Sequence, residues 1–198
     1  MIFSRDTTLV VFAMRQEAKD CFDDLHMLFC GVGKVNAAHH LTKALAQWES
    51  EHGNKPALVL NLGSAGSPHF KKGEVINCTR FVQRDFDISA LGCEPYANPF
   101  DGGIPAILET GVRMEGIAEG ACGTGDHFET SAKQGPWNVV DMEGYALAKV
   151  CLFEKIPFGC LKYISDGADG QAAGTWEESL DVTAHRLREA VEAFFTRA

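Results

Sequence analysis

Short apolar runs alternate with amphipathic stretches along most of this chain, and each run leads within a few residues into a glycine or a charged residue. Residues 9–13, 27–30, 57–60, 139–140 and 158–164 are continuous or nearly continuous apolar runs, the pattern of strands buried on both faces. Residues 75–83 are rich in β-branched side chains and partly alternate, which predicts a longer strand with one wetter face. Residues 117–123 are also strand-like, and 61–67 (Asn-Leu-Gly-Ser-Ala-Gly-Ser) read as a small-residue loop closing the third strand. A charged segment, 15–20, predicts a helix after the first strand. Val35, Ala38, Leu41, Leu45 and Trp48 share one helical face. Gly144 opens another helix, a short one is expected from Thr130, and Trp176, Leu180, Ala184, Leu187, Val191 and Phe194 mark a long amphipathic C-terminal helix. Residues 92–103, with Pro95, Pro99 and a Gly pair, read as an irregular loop of the kind that lines a site or an interface.

Strands alternating with helices predict an α/β fold: a three-layer α/β/α sandwich around a central mixed, largely parallel sheet. No repeat, low-complexity segment or linker divides the chain, so residues 1–198 are expected to form one domain. Ligands of such sheets bind outside the strand ends. Glu17, the turn 31–33, the loop 63–66, residues 126–128 and 141–143, and Asp166 all follow strands, so they are expected to converge on one edge.

Charge and cysteine usage narrow the partners. A formal charge of −9, with 18 dispersed basic residues, argues against nucleic acid or an anionic membrane and leaves small molecules or proteins. The first 14 residues hold Asp6 and only a short apolar run, unlike a signal peptide, and no segment stays apolar for the roughly 20 residues of a membrane span, so a cytoplasmic protein is expected. Seven scattered cysteines, several inside apolar runs, read as small core residues in a reducing compartment. Neither a metal nor a cofactor is expected: no Cys-x-x-Cys occurs, and the acids of 166–170 are spaced wrongly for a calcium loop.

The stretch 139–150 carries the most pointed chemistry. Asp141 and Glu143 lie where a hydrophobic strand passes into an almost wholly apolar helix, so each is either a cap for the helix dipole or a site carboxylate. The turn Gly31-Val-Gly-Lys-Val35 is no phosphate loop, since Leu28 replaces the leading Gly and Val35 the Ser/Thr. Asp126, His127 and Glu129 read as a solvated loop, in which Phe128 is either a stacking face for a planar ligand or a core residue. Glu17, Glu143 and Asp166, all at strand ends, suit a reaction with a cationic transition state: one acid protonates the leaving group, another activates water and a third anchors hydroxyls.

An ordered series of segments resembles the nucleoside phosphorylase/nucleosidase fold and, within it, the 5′-methylthioadenosine/S-adenosylhomocysteine nucleosidases. Residues 13–17 (Ala-Met-Arg-Gln-Glu), 31–34, 61–66, 85–92, 125–128 (Gly-Asp-His-Phe), 141–143 (Asp-Met-Glu) and 165–169 (Ser-Asp-Gly-Ala-Asp) follow in the family's order. The resemblance implies a purine nucleosidase in methionine salvage, acting as a homodimer on a small-molecule nucleoside. Glu17 is implied as the general base for water and Asp166 as the acid that helps protonate N7 of adenine. Glu143, with Asp141 and Met142 beside it, is implied to hold the ribose hydroxyls. Phe128 would stack on the purine, while the backbone at Phe128 and Glu129 and nearby Ser165 read its edge. Met14 and Ser64, with Ala65 and Gly66 in the same loop, would lie near the ribose and the water. Val32 and Trp176 would shape the wall near the 5′ substituent. Phosphorylases of this fold carry an Arg just before the Gly-Ser loop, where this chain has Asn61-Leu62. Hydrolysis is therefore favoured, although Arg15 and Arg84 keep a phosphorylase open, and a non-catalytic nucleoside-binding protein is the reading from another class. Residues 92–116 align poorly with the family, which leaves the 5′ substituent open.

Overall fold

The computed structural model describes residues 3–131, 133–169 and 172–197. Its strands are β1 (Thr8–Phe12), β2 (His26–Phe29), β3 (Leu58–Gly66), β4 (Val75–Gln83), β5 (Ile107–Leu108), β6 (Glu119–Thr124), β7 (Val139–Asp141) and β8 (Phe158–Asp166). The helices are α1 (Arg15–Ala18), α2 (Lys34–His52), α3 (Gly144–Glu154) and α4 (Ala172–Arg197). Strand order is β2-β1-β3-β7-β6-β4-β5, with β8 bridging β3 and β4, so β3, β7, β6, β4 and β8 close into a ring. The pairs β1–β2, β1–β3, β3–β8, β4–β6 and β6–β7 are parallel; β3–β7, β4–β5 and β4–β8 are antiparallel.

Helices cover the sheet from two sides. α2 and α3 pack together over a core that includes Leu41, Leu45, Phe81, Leu147 and Phe158. α1 and α4 lie over Phe12, Phe22, Leu60, Leu161 and Leu187 on the other side. The α/β class and the mixed, mostly parallel sheet match expectation, and the curling of the middle layer into a barrel is the added feature. Strands β1, β3 and β8 are buried almost throughout because both of their faces meet packed side chains, which is why they read as unbroken apolar runs. Cys30, Cys78, Cys122, Cys151 and Cys160 are buried, and all seven cysteines are free thiols. No described helix is long and apolar enough to cross a membrane.

Several expectations need correction. Residues 61–66 are strand rather than loop: β3 continues alongside β8 from Asn61↔Cys160 to Ala65↔Ile164. The wetter face of β4 is absent, since only Arg80 is exposed there; ring closure and α3 cover the strand. The buried face of α2 uses Ala37, Leu41, Leu45 and Trp48, while Val35 in its first turn is 79% exposed. The first helix is a single turn, ended by Lys19 at a positive φ of 47°. No helix starts at Thr130, because the Glu129 carboxylate accepts the N–H groups of Thr130 (3.1 Å) and Ser131 (2.9 Å) and bends the chain away. Strand β5, two residues long, lies in a region that gave no strand signal.

Candidate active site

The C-terminal ends of β1, β3, β6, β7 and β8 surround a cavity of about 300 Å³. Met14, Glu17, Val32, Ser64, Ala65, Gly66, Phe128, Glu129, Asp141, Met142, Glu143, Ser165, Asp166 and Trp176 all border it, whereas Gly31, Gly33, Gly63 and Asp126, also expected at this edge, do not line it. Ala13, His127 and Val140 line it as well and were not singled out as binding residues; Arg84, named above only for the phosphorylase alternative, also lines it.

Strand β3 makes room for two carboxylates. Glu17, on the single turn of α1, is buried beside Gly63, where a Cβ would lie 3.1 Å from its Oε1. Its Oε1 accepts from the Ser64 N–H (2.9 Å) and the Ser64 hydroxyl (2.7 Å). The Met14 N–H reaches its Oε2 at 3.4 Å. Trp176 Nε1 donates to the same Ser64 hydroxyl (2.8 Å), so α4 is tied to the Glu17 carboxylate through one oxygen. Further along β3, Gly66 lies under Asp166: a Cβ there would stand 2.6 Å from Asp166 Oδ1, closer than any side chain permits. Asp166 Oδ2 accepts from Ser165 Oγ (2.7 Å) and Oδ1 from the Ala168 N–H (2.8 Å). Ala168 reaches that position with φ at 53°, a left-handed conformation that a non-glycine residue adopts only under constraint. Gly66 thus makes space for a neighbouring carboxylate.

Asp141 and Glu143 divide the two readings of their stretch between them. Asp141 Oδ2 accepts from the Gly144 N–H (2.7 Å) at the start of α3 and pairs with Lys162 Nζ (2.9 Å), while its Oδ1 accepts from Thr124 Oγ1 (2.6 Å). Burial alone would raise the Asp141 pKa, but the Lys162 charge and these donors overcome it and hold the group below its ordinary value. Lys162, fully buried in β8, shows the matching upward shift: burial alone would lower its pKa, but Asp141 together with Cys160, Cys122 and Glu143 nearby outweighs that burial. Glu143 makes no cap bond to α3. Its Oε1 accepts instead from the Gly33 N–H (2.8 Å) on the opposite wall, at the start of α2. Burial, reinforced by the Asp141 charge and opposed by Lys162 and Gly33, pushes Glu143 up to about 8. Asp141 is the cap, and Glu143 is the carboxyl turned to the cavity.

The loop 125–129, read from sequence as solvated, is anchored. Glu129 is buried and paired with Arg84 (3.0 Å); Asp126 accepts the Lys34 N–H (2.8 Å), and Lys34 Nζ also pairs with Asp85. Consecutive N–H groups at the start of α2, from Gly33 and Lys34, therefore go to Glu143 and Asp126 respectively. Phe128 stands between these anchors, 45% exposed and facing the cavity, which excludes the core reading.

The cavity is rich in carboxyl groups, and the two cations beside it are paired. Glu129 and Asp141 are neutralised by Arg84 and Lys162, whereas Glu17, Glu143 and Asp166 are held by hydrogen-bond donors. Arg15 lies outside, its guanidinium 4.6 Å from the centre of the Phe29 ring. Among the described residues, no group of three or more His, Cys, Asp or Glu is arranged to hold a metal ion.

A family model of the phosphorylase superfamily matches residues 23–198, and the chain belongs to that superfamily. Within it the similarity runs to nucleosidases. A 5′-methylthioadenosine/S-adenosylhomocysteine nucleosidase of Haemophilus influenzae (strain PittEE) is 32% identical over 203 residues, spanning 93% of this chain and 86% of the relative. The 5′-methylthioadenosine/S-adenosylhomocysteine nucleosidase of Helicobacter pylori has the same fold, with a TM-score of 0.82 at 21% identity over 98% of this chain and all of the other. The futalosine hydrolase of Helicobacter pylori has the same fold as well, with a TM-score of 0.81 at 20% identity over 98% of this chain and 99% of the other.

Proposed function

We propose that this protein is a purine nucleosidase that hydrolyses the N-glycosidic bond of 5′-methylthioadenosine or S-adenosylhomocysteine, releasing adenine and a free thioribose. The observation that carries this reading is the convergence of Glu17, Glu143 and Asp166 on one small cavity whose cations are already spoken for. Breaking the bond leaves positive charge on the sugar and negative charge on the base. Asp166 delivers a proton to N7, and Glu17 takes one from the attacking water. Such acid or base help is worth about 10²–10⁴-fold per group. Glu143 faces the vicinal ribose hydroxyls; with its pKa near 8 it offers them both a donor and an acceptor at neutral pH. Phe128 stacks on the purine, Ser165 and the backbone at Phe128 and Glu129 read its edge, and Met14, Ser64, Ala65 and Met142 enclose the ribose. Val32 and Trp176 wall the 5′ substituent.

The engaged cations disfavour phosphate as nucleophile: Arg84 is paired with Glu129, and Arg15 points to Phe29 rather than into the cavity. A phosphorylase would need one of them free.

The same reading includes a homodimer, built from one domain per chain and working in the cytoplasm in methionine salvage. Val35, Leu91, Phe100 and Phe153 are large, exposed apolar residues. The Lys34–Asp85 and Lys149–Asp101 ion pairs tie the segments carrying Leu91 and Phe100 to α2 and α3. Exposed apolar groups so tied together suit a self-complementary interface beside the cavity mouth. Sedimentation of the intact protein tests this; a monomer at micromolar concentration would contradict it.

Substrate choice is tested by adenine release from a panel: methylthioadenosine, S-adenosylhomocysteine, adenosine and a futalosine-type nucleoside. Release from the first two is expected to dominate. Preference for the futalosine-type compound would reassign the substrate, and no release from any would leave a binding protein.

A further inference from the structure

One buried guanidinium grips the loop 126–129 at two points. Arg84 follows β4, and its own N–H extends the ladder to Thr124 O (2.9 Å). Its Nη2 donates to the carbonyl oxygen of His127 (2.6 Å), and its Nη1 donates both to His127 Nε2 (2.6 Å) and to Glu129 Oε2 (3.0 Å). An arginine can only donate, so His127 Nε2 is the acceptor. Gly125 lies flat against the guanidinium, where a Cβ would stand 2.9 Å from Cζ. On the far side Glu129 Oε1 takes the Ser131 N–H (2.9 Å), which fixes the exit of the loop. Phe128 is the residue between the two gripped ones. With nearly half its surface open, it depends on its neighbours for its orientation.

We propose that Arg84 is a positioning residue for the base: by holding the His127 carbonyl and the Glu129 carboxylate, it fixes the Phe128 ring at the angle at which it stacks on the purine. This rests on the reading of the cavity as a purine nucleoside site. Arg84 itself touches no reacting atom. The task needs a fork rather than a point charge, because two acceptors in different directions are held by one rigid group. It also explains a buried ion pair at this place: the pair gives the loop one geometry where a solvated loop would have many.

Two variants separate positioning from bulk structure. Arg84→Lys keeps the charge and loses the fork. The double variant Arg84→Met with Glu129→Gln removes the pair without stranding a buried charge, so folding survives if either side chain is dispensable to it. Titration calorimetry on the intact protein reads adenine and methylthioribose separately. In both variants adenine affinity is expected to fall about tenfold and methylthioribose affinity to stay within about twofold, the size of one misaligned aromatic stack. KM for methylthioadenosine rises with the adenine Kd, while kcat changes less. Equal losses for both products would mean a general loosening and would overturn the assignment, as would unchanged adenine affinity in both variants. Wild-type protein that bound no adenine at all would overturn the nucleoside reading itself, and the assignment with it.

Discussion

Two concavities of very different character lie on this molecule. The larger, about 1200 Å³, runs along the C-terminal half of α4 and is walled by Phe70, Val112, Ile117 and Phe194, with Arg113 and Arg186 at its rim. Those arginines already face Glu119 (3.0 Å) and Glu189 (2.8 Å) across open solvent. The smaller, a quarter of that volume, is lined by five buried carboxylates, of which Glu129 and Asp141 are ion-paired and Glu17, Glu143 and Asp166 are held by hydrogen-bond donors. Burying a charge is costly unless donors or cations meet it. The small cavity carries that cost, whereas the large one buries no charge, so chemistry rather than size distinguishes the candidate active site.

The sharpest way to break the contrast is to neutralise the small cavity and leave the large one alone. Glu17→Gln and Asp166→Asn are each expected to lower kcat/KM by about 10²–10⁴-fold, with thermal stability near wild type. Ile117→Gln in the large groove is expected to leave turnover unchanged. Steady-state kinetics on folded variants checks both, and comparable losses in the two places would erase the distinction.

Next in size is the cation under the site. Lys162→Met strands Asp141 beneath Glu143 and is expected to cost about 3–5 kcal/mol, seen in chemical denaturation. Pairing it with Asp141→Asn is expected to recover much of that loss. Lys71→Met, on the rim of the groove, should stay within about 0.5 kcal/mol.

A third contrast is in pH. The folded Glu143 holds its proton more tightly than the unfolded chain does, with a pKa of about 8 against an ordinary 4.5. Its contribution to stability is therefore complete below about pH 4.5 and is lost as pH rises through about 8. Asp141 has the opposite sign: its contribution is present above the ordinary carboxylate range and lost on acidification below it. Glu143→Gln is expected to flatten the alkaline fall in stability between about pH 5 and 8, measured by denaturant titration. An unchanged slope would place the proton elsewhere. The smallest effect belongs to Trp176→Phe, which removes the donation to Ser64 and is expected to cost about 0.5–1.5 kcal/mol of transition-state or ground-state stabilisation, under tenfold to about tenfold in kcat/KM.

Much of this arrangement was legible along the chain, and the limits have physical causes. Glu17, Glu143 and Asp166 each lie within a few residues of the end of an apolar run, so local pattern placed them at strand ends and the ordered motifs grouped them. The supports were harder to see, because each joins distant segments: Arg84 to Glu129, Lys162 to Asp141, Gly33 to Glu143. One signal was available. Lys162 interrupts the apolar run 158–164, and a charge in a strand buried on both faces must have a partner. The rest turned on ring closure, which no local pattern encodes: β3 extends past Asn61 because its small residues pair with β8, and the loop 125–129 is ordered by residues some 40 to 90 positions away.

The nucleophile is the most direct test. Methylthioadenosine is incubated with the protein in excess inorganic phosphate, and the products are followed by phosphorus NMR and sugar analysis. The expected result is adenine with free methylthioribose in equal amounts, phosphate unconsumed, and a rate independent of its concentration. Formation of methylthioribose 1-phosphate would contradict hydrolysis in this cavity.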